Sequence, residues 1–508
     1  MRGAVYNEVD NCNGCEGRAV LQITKPGTAT QWIRFVAEPG ESVILEGTSS
    51  ATIGVRIVKV GATFPSFNEV NGFQMRGFSL DCVSYDSVPD IRLAGLDVTR
   101  CGRQAVSLKG GKRVTLQGSR IHDNNTNGWT SAIDLYQCQD GNIISGNAIW
   151  NNSDSSPGQP DSEGHGIIMD YCPGTGGTVI ENNQIFNNEG WCVVVLNSNG
   201  ATIRNNVCYH NGIRSGGGEI TTCGNRVSIY NNIVAPRAGQ LALNLRLQRS
   251  DFTVDPTTVS ENNDLLDVTA AAVAVGWGDA TGTLSQFQAR NGRGWGTRTI
   301  LGDPRFVDEF GLNFRLQSGS PAIDKGDTAH AALVDFDGVR RPSGIAADIG
   351  AFEVSAGAAL AGSAISSSAS VNLTATGTRD WAHWPNYIHK SSGGSQISNF
   401  TAVGGATVLS WTPYAPSVTW SDGTPTASRT DRAGVYTAGT GKGLQIRAAA
   451  GTGLRTLKVH ISGYKCRGRL VAHLSDNSMP DYVDQSFFSS TGNYDGVYTI
   501  TYRANSDA

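Results

Sequence analysis

IENNQI at residues 180–185, IRNNVC at 203–208 and IYNNIV at 229–234 align without a gap, each apolar at its first and sixth places with Asn at the fourth. Working outward, ISGNAI (144–149), LQGSRI (116–121) and LAGLDV (93–98) keep the same frame. In chain order the six segments start 23, 28, 36, 23 and 26 residues apart. A base period in the low twenties with longer excursions is that of a solenoid whose turns carry loops of unequal length. Between the segments lie short β-rich runs, AVSL, AIDL, GIIM, CVVV and LALNL, and no stretch has a helical period. A parallel β-helix accounts for both features. Stacked turns bring Val, Ile and Leu into columns that fill the interior. They also bring Asn147, Asn183, Asn206 and Asn232 into one ladder in which each buried amide bonds to the next.

The chain of 508 residues exceeds one ordinary core, so more than one domain is expected. Its 63 glycines and 17% charged residues suit short strands and tight turns rather than helices with charged faces. A formal net charge of −4 gives no basic field, so nucleic acid is not an expected partner. No apolar run approaches the roughly 18–20 residues of a spanning helix, so no membrane insertion is expected. The opening MRGAVYNEVDNCNGCEG carries no charged-then-apolar leader. Both ends read as clipped from a longer chain, and an extracellular location is expected without a visible signal.

Ten cysteines are present, of which Cys12 and Cys15 form a lone CxxC with no second pair at zinc-like spacing. Cys138 and Cys172 each lie five residues after a matched apolar position, Ile133 and Ile167. They should therefore stack on successive turns, ~4.8 Å apart, within the Cα range of a disulfide. Two reduced thiols stacked in a turn is the alternative.

With its six matched turns the chain resembles the right-handed β-helix repeat proteins of bacteria, the group of pectate- and alginate-lyase-like enzymes and polygalacturonase-like hydrolases. The resemblance covers roughly residues 15–265. GDPRFVD, LNFRLQSGSPAIDKGD, DFDGVRRP and DIGAFE, between 302 and 353, look like the segment that commonly closes such helices. Asp335, Asp337 and Asp348 within it offer a cation site or, more simply, turns and caps. Residues 354–376, rich in Ala, Gly and Ser, read as a flexible linker. TRDWAHWPNYIHK, VTWSDGTPTAS and LRTLKVHISGY then give short alternating strands with turn dipeptides. This part is similar to a DWAHW-bearing accessory domain of secreted bacterial carbohydrate-active proteins. Trp381, Trp384, Trp411 and Trp420 in it either stack on sugar rings or fill a core. The expected fold class is all-β: a right-handed parallel β-helix (1–300), its closing segment (301–353), a linker (354–376) and a small β-sandwich (377–508).

The strand before each Asn-bearing strand is expected to line an outer groove. Alternation turns Val106 and Leu108, Ile133 and Leu135, Ile167 and Met169, and Val193 and Val195 inward. Ser107 and Lys109, Asp134 and Tyr136, Ile168 and Asp170, and Val194 and Leu196 then face outward, with Glu219, Asn244 and Arg246 continuing the face. The longest excursion, NNSDSSPGQPDSEGHG (151–166), brings Asp161, Glu163 and His165 to the same edge, and Trp129 and Trp191 enter from neighbouring loops. The expected catalytic set is Asp134, His165 and Asp170, with Lys109, Trp129, Tyr136, Glu163, Trp191, Glu219 and Arg246 binding substrate. The alternative is that the loop residues only satisfy backbone groups and the tryptophans cap the core.

Two chemistries remain open on these residues. A hydrolase needs two carboxyl groups, one to donate a proton and one as base or nucleophile, and Asp134 and Asp170 fit. A β-eliminating lyase needs a base beside a uronate carboxylate and cations to neutralise it, and His165 with Lys109 or Arg246 fit. A non-catalytic glycan-binding or adhesin-type β-helix is the rival from another class. The implied partner is an acidic or plant/microbial polysaccharide, met by a monomer. No resident cofactor or metal site is called for, calcium being the one ion the acidic loops would suit.

Overall fold

The computed structural model describes residues 3–7, 9, 17–126, 131–154, 163–213, 218–249, 252–269, 274–354, 358–392, 396–412, 416–451 and 454–504. Cys12, Cys15, Trp129 and Asp161 lie outside the described residues. The chain divides into two compact units, Met1–Val354 and Ser355–Ala508.

The first unit is a right-handed parallel β-helix with three faces. Its first face stacks Val83–Asp86, Val106–Ser107, Ile133–Tyr136, Ile167–Asp170, the opening of Val193–Arg204 and the opening of Gly218–Tyr230. The two long strands run on through a corner into the second face, which also holds Pro89–Ala94, Lys112–Gln117, Ile143–Ser145 and Thr178–Glu181. The third face is an 11-stranded parallel sheet that begins at Ala4–Tyr6 and ends at Ile300–Gly302. Val83, Val106, Ile133, Ile167, Val193, Ile220, Leu243 and Val275 form one inward column in direct register, every member fully buried. The inward pairs read from alternation are all buried.

The corner between second and third faces is two residues long, and its first residue is in the left-handed region: Gly95, Gly118, Gly146, then Asn182, Asn205, Asn231 and Asn263. Gly and Asn are the residues that adopt this conformation at least strain. The second residue is the ladder. Nδ2 of Asn147 donates to Asn183 Oδ1, Asn183 to Asn206, Asn206 to Asn232, and Asn232 to the carboxylate of Asp264, each at 3.0 Å. Each Oδ1 also accepts the backbone N–H of the preceding ladder residue. A seventh turn, ENNDLL (261–266), thus ends the column. It escaped the sequence reading because Glu and Asp replace the apolar opener and the Asn.

Residues 302–353 are not an end-cap, contrary to the sequence reading. Phe306, Phe314, Leu316, Ile349 and Phe352 pack on the outside of the third face against Phe186, Val207, Tyr209, Ile233 and Leu265. The left-handed Asn residues point out of the coil and bind this strap: Asn182 donates to Val334 O, Asn205 to Asp348 O, Asn231 to Asp327 O and Asn263 to Lys325 O. That is why NN replaces GN in the strapped turns. Leu284 and Phe287 of the helix Leu284–Arg290 and Trp295 join the interior cluster next to Val275 and supply the apolar end. Asp335 and Asp348 accept backbone N–H groups, as turn and cap residues do, whereas Asp337 is held in an ion pair with Arg315.

In the second unit Asn493–Arg503 is the middle of three antiparallel strands, flanked by Arg455–Tyr464 and Ala359–Ser366. The expected linker is therefore largely folded: Leu360 and Ala364 pack beside Tyr498, Ile500 and Tyr502. Its lack of charge reflected half-burial rather than flexibility. Trp381 and Trp420 are core, at 3% exposure each, while Trp411 is 56% exposed.

Candidate active site

Asp134 and Asp170 sit on adjacent strands of the first face. Asp134 is in register with Ile168 and Tyr136 with Asp170, so the two acids are one strand and two residues apart. With ~4.8 Å between strands and ~3.3 Å per residue, their backbones are ~8 Å apart. Asp134 is 8% exposed, and its Oδ2 accepts a hydrogen bond from Gln104 Nε2 at 2.7 Å. Glu163 arrives from the loop before Ile167–Asp170, its backbone N–H turned toward Asp154 Oδ2 at 3.4 Å.

Electrostatics join the three acids. Burial first, then the Asp170 charge, push the Asp134 carboxyl up to about 7 against the Gln104 hydrogen bond. Burial likewise lifts Glu163 to about 7, followed by Asp134, Asp170 and Asp154, while Arg249 opposes the rise. Arg249 belongs to a two-residue strand, Gln248–Arg249, paired with Phe252–Thr253. Its Nη1 is buried and, among the described residues, meets no hydrogen-bond acceptor. The sequence offers Lys109 or Arg246 as the cation; the guanidinium whose charge reaches Glu163 is Arg249, three residues beyond Arg246. Only hairpin geometry selects between them, and Gln104 likewise gave no sequence signal.

His165 is the main correction. It is 5% exposed, and its Nδ1 accepts the backbone N–H of Trp191 at 2.8 Å. Burial holds its imidazole down to about 3, against a weaker pull from Asp154. The ring is neutral with its acceptor nitrogen occupied, so it does not serve as a base in the cleft. Gly190 makes this seat: a Cβ there would lie 1.9 Å from Glu163 O and 2.3 Å from His165 Nδ1. Trp191, half-buried, packs on the His165 ring at 5.0 Å between centroids and helps to form the seat.

Glu219 is also corrected. It is 1% exposed and ends a second amide ladder, Asn124–Asn152–Asn188–Asn211, accepting both the N–H and the Nδ2 of Asn211 at 2.8 Å. Burial lifts its carboxyl to about 8 against those bonds. A signal existed: Asn152, Asn188 and Asn211 each follow a first-ladder Asn by five residues.

Tyr136 is 38% exposed and edge-on to Tyr171, and Lys109 is exposed, 3.3 Å from Asp86. Ile168 and Val194, expected outward, are covered, at 4% and 0% exposure. The open part of the face therefore runs from Asp170 toward the N-terminal coils. Cys138 and Cys172 are bridged, with Cα atoms 4.6 Å apart. Cys82–Cys101 and Cys192–Cys208 are bridged as well; each pair spans one coil, where register gives no hint.

A family model described as NosD, periplasmic copper-binding protein, matches residues 34–236. No curated protein matches the chain. Among solved structures it is similar to a pectate lyase at 16% identity and TM-score 0.36, over 69% of this chain and 86% of that one. A periplasmic alginate epimerase aligns at 12% identity and TM-score 0.37, over 49% and 58%. A capsular polysaccharide depolymerase, the tailspike gp49 of Acinetobacter baumannii bacteriophage Fri1, aligns at 10% and 0.26, over 99% and 71%. At such identities and scores none of these likenesses gives a residue of this chain a role.

Proposed function

We propose that the β-helix hydrolyses glycosidic bonds of a polysaccharide outside the cytoplasm, with Asp134, Glu163 and Asp170 as its acid–base centre. The observation that carries this reading is the pair of carboxyl groups, Asp134 and Glu163, both lifted to about 7 beside a third acid. Interacting acids lose their protons in separate steps, so near neutrality the centre holds a proton and a negative charge together. Glycoside hydrolysis needs that combination: a proton for the leaving oxygen and a carboxylate on the other side of the sugar. From a backbone separation of ~8 Å, rotation of the Asp134 and Asp170 side chains reaches either the retaining or the inverting spacing of carboxyl groups, so the centre suits hydrolysis without fixing its stereochemistry. The lyase reading loses its base, because His165 is occupied and buried.

Three disulfides among the described residues support an oxidising compartment. No helix among the described residues is long and apolar enough to cross a membrane. Copper, in the matched family's description, would call for soft or imidazole donors lying together. Among the described residues the one such group is Cys192, Cys208 and Glu219, whose cysteines are joined to each other and whose carboxylate is held by Asn211. That donor set does not fit a copper ion.

The test is a panel of acidic and neutral polysaccharides, reading reducing ends and the absorbance of unsaturated products in parallel. Reducing ends without that absorbance are expected, with turnover down ~100-fold or more in Asp134→Asn and Glu163→Gln. Unsaturated products would make the protein a lyase; silence on every glycan would make it a binder.

A further inference from the structure

Where the first face turns into the second, a cavity of about 600 Å³ opens along the surface. Its ends are aromatic: Phe64, 41% exposed, and Tyr171, 43% exposed. Between them lie Lys109, Lys112, Gln137 and Gln139. These residues come from five successive coils, so the groove runs along the helix axis for four steps of ~4.8 Å, about 19 Å in all. A groove of that length fits several sugars in a row and is far longer than one sugar needs.

The groove is continuous with the acid centre. Asp170 is in register with Tyr136, and the strand bearing Tyr136 lies beside the coil of Lys109, where Gly110 N–H bonds Tyr136 O. Tyr136 in turn meets Tyr171, with ring centroids 6.1 Å apart, edge to face. A chain held at Asp134 and Asp170 therefore leads over Tyr136 into the groove. Its charge is also informative. Lys109 shares Asp86 in a pair half open to water, which holds it only weakly. Lys112 makes no ion pair among the described residues. Arg113 next to it is spent on Asp90, at 2.7 Å. Two ammonium groups facing a groove with aromatic ends, with amides between, suit a linear glycan whose units carry acidic groups.

We propose that this corner groove is a run of distal subsites for a linear acidic polysaccharide, the same chain that is cut at the acid centre; the inference rests on that reading of the centre. Tyr171 and Phe64 carry sugar faces, Gln137 and Gln139 bond hydroxyls, and Lys109 and Lys112 meet the anionic groups. A neutral chain would leave the lysines unused.

Affinity electrophoresis tests this, with the full chain run through native gels containing polygalacturonate, alginate, hyaluronate or neutral β-glucan. Retardation by at least one acidic polymer is expected, and more than by the neutral one. Tyr171→Ala and Lys112→Glu should each weaken it about ten-fold, the loss of one stacked ring or one charge contact. Circular dichroism of each variant separates lost binding from lost fold. Equal retardation of Tyr171→Ala, Lys112→Glu and wild type overturns the proposal, as does a preference for neutral glucan or no retardation in any gel. Retardation that tracks the groove, with cleavage surviving in Asp134→Asn, would instead leave the groove standing and move the catalytic centre.

Discussion

Replacing Asp134 by Asn should stabilise the protein as it abolishes turnover, and the gain should grow with pH. In the unfolded chain this carboxyl titrates near 3.8, whereas in the fold burial and Asp170 move it to about 7. The folded state thus keeps a proton that the unfolded state releases, and stability falls as pH rises from 3.8 through about 7. At pH 5 the unfolded chain is already roughly 2 kcal/mol better off for ionising, and at pH 8 roughly 4 kcal/mol, after allowing for ionisation of the native form. Asparagine carries no proton to lose and still offers Gln104 an oxygen. The variant's advantage over wild type should therefore widen by roughly 2–3 kcal/mol between pH 5 and pH 8. Being 8% exposed, Asp134 has little solvent to screen this effect.

Urea unfolding at both pH values, comparing variant with wild type under each condition, measures that widening directly. The second unit contributes equally to both proteins and drops out of the difference. A gap that stays flat, or a variant less stable at pH 8, would mean that Asp134 is an ordinary ionised surface acid. The proton-holding centre would then be lost with it. Activity would report the other half of the trade, since sites that hold charge for chemistry are commonly built against stability.

Three further outcomes follow from named contacts. Asn183→Ala removes the acceptor of Asn147 N–H and the donor to Ile144 O, both buried, and should lower stability by about 3–5 kcal/mol in denaturant unfolding; a loss under about 1 kcal/mol would show the ladder to be decorative. Gly190→Ala forces a methyl onto Glu163 O and His165 Nδ1, so soluble yield or melting temperature should fall, and any folded fraction should have lost turnover. The double change Cys138→Ser with Cys172→Ser opens a loop of 34 residues and should cost about 4 kcal/mol in the chain-entropy account, read by urea unfolding under non-reducing conditions that keep the other two bridges closed.

The solenoid was legible because a buried Asn column imposes a strict frame: the corner is two residues long in each of the seven turns from residue 95 to residue 264, so loops of any length leave the hexapeptide intact. The columns Ile133–Ile167–Val193 and the outward pair Asp134 and Asp170 followed from the same frame by alternation. What failed lay where the frame lapses. His165 is two residues before the face strand, and its side chain turns under Trp191 because Gly190 leaves room there. Glu219 was assigned by extrapolating alternation across residues whose count varies between turns, and it belongs to a different column. The strap at 302–353 was placed by likeness at the end of the helix. Its position was nonetheless written in the first Asn of each NN pair, an outward polar residue at a left-handed corner that Gly fills equally well in the uncovered turns.

A raised carboxyl alone would not have found the site, since this fold raises acids for two unlike reasons. Glu219 and Asp264 are fully buried and lifted, yet their oxygens are where the amide ladders end, each accepting N–H groups from the last Asn. Every ladder amide points its donors the same way along the axis, so the aligned dipoles present a positive end to the terminal residue, and an acceptor-only side chain is what that end requires. Asn in either place would accept through its oxygen, as the other rungs do, and would leave its NH2 without a further amide rung to bond. Asp134 and Glu163 have no such duty. The largest charge effect on Asp134 comes from Asp170, the largest on Glu163 come from Asp134 and then Asp170, and the Arg249 guanidinium, with one nitrogen buried, opposes the rise at Glu163. Acids that repel one another at the open end of a face are held there by the surrounding coil at a loss of stability. A solenoid that stacks amides so economically elsewhere has no structural use for that arrangement, and chemistry on a bound chain supplies one.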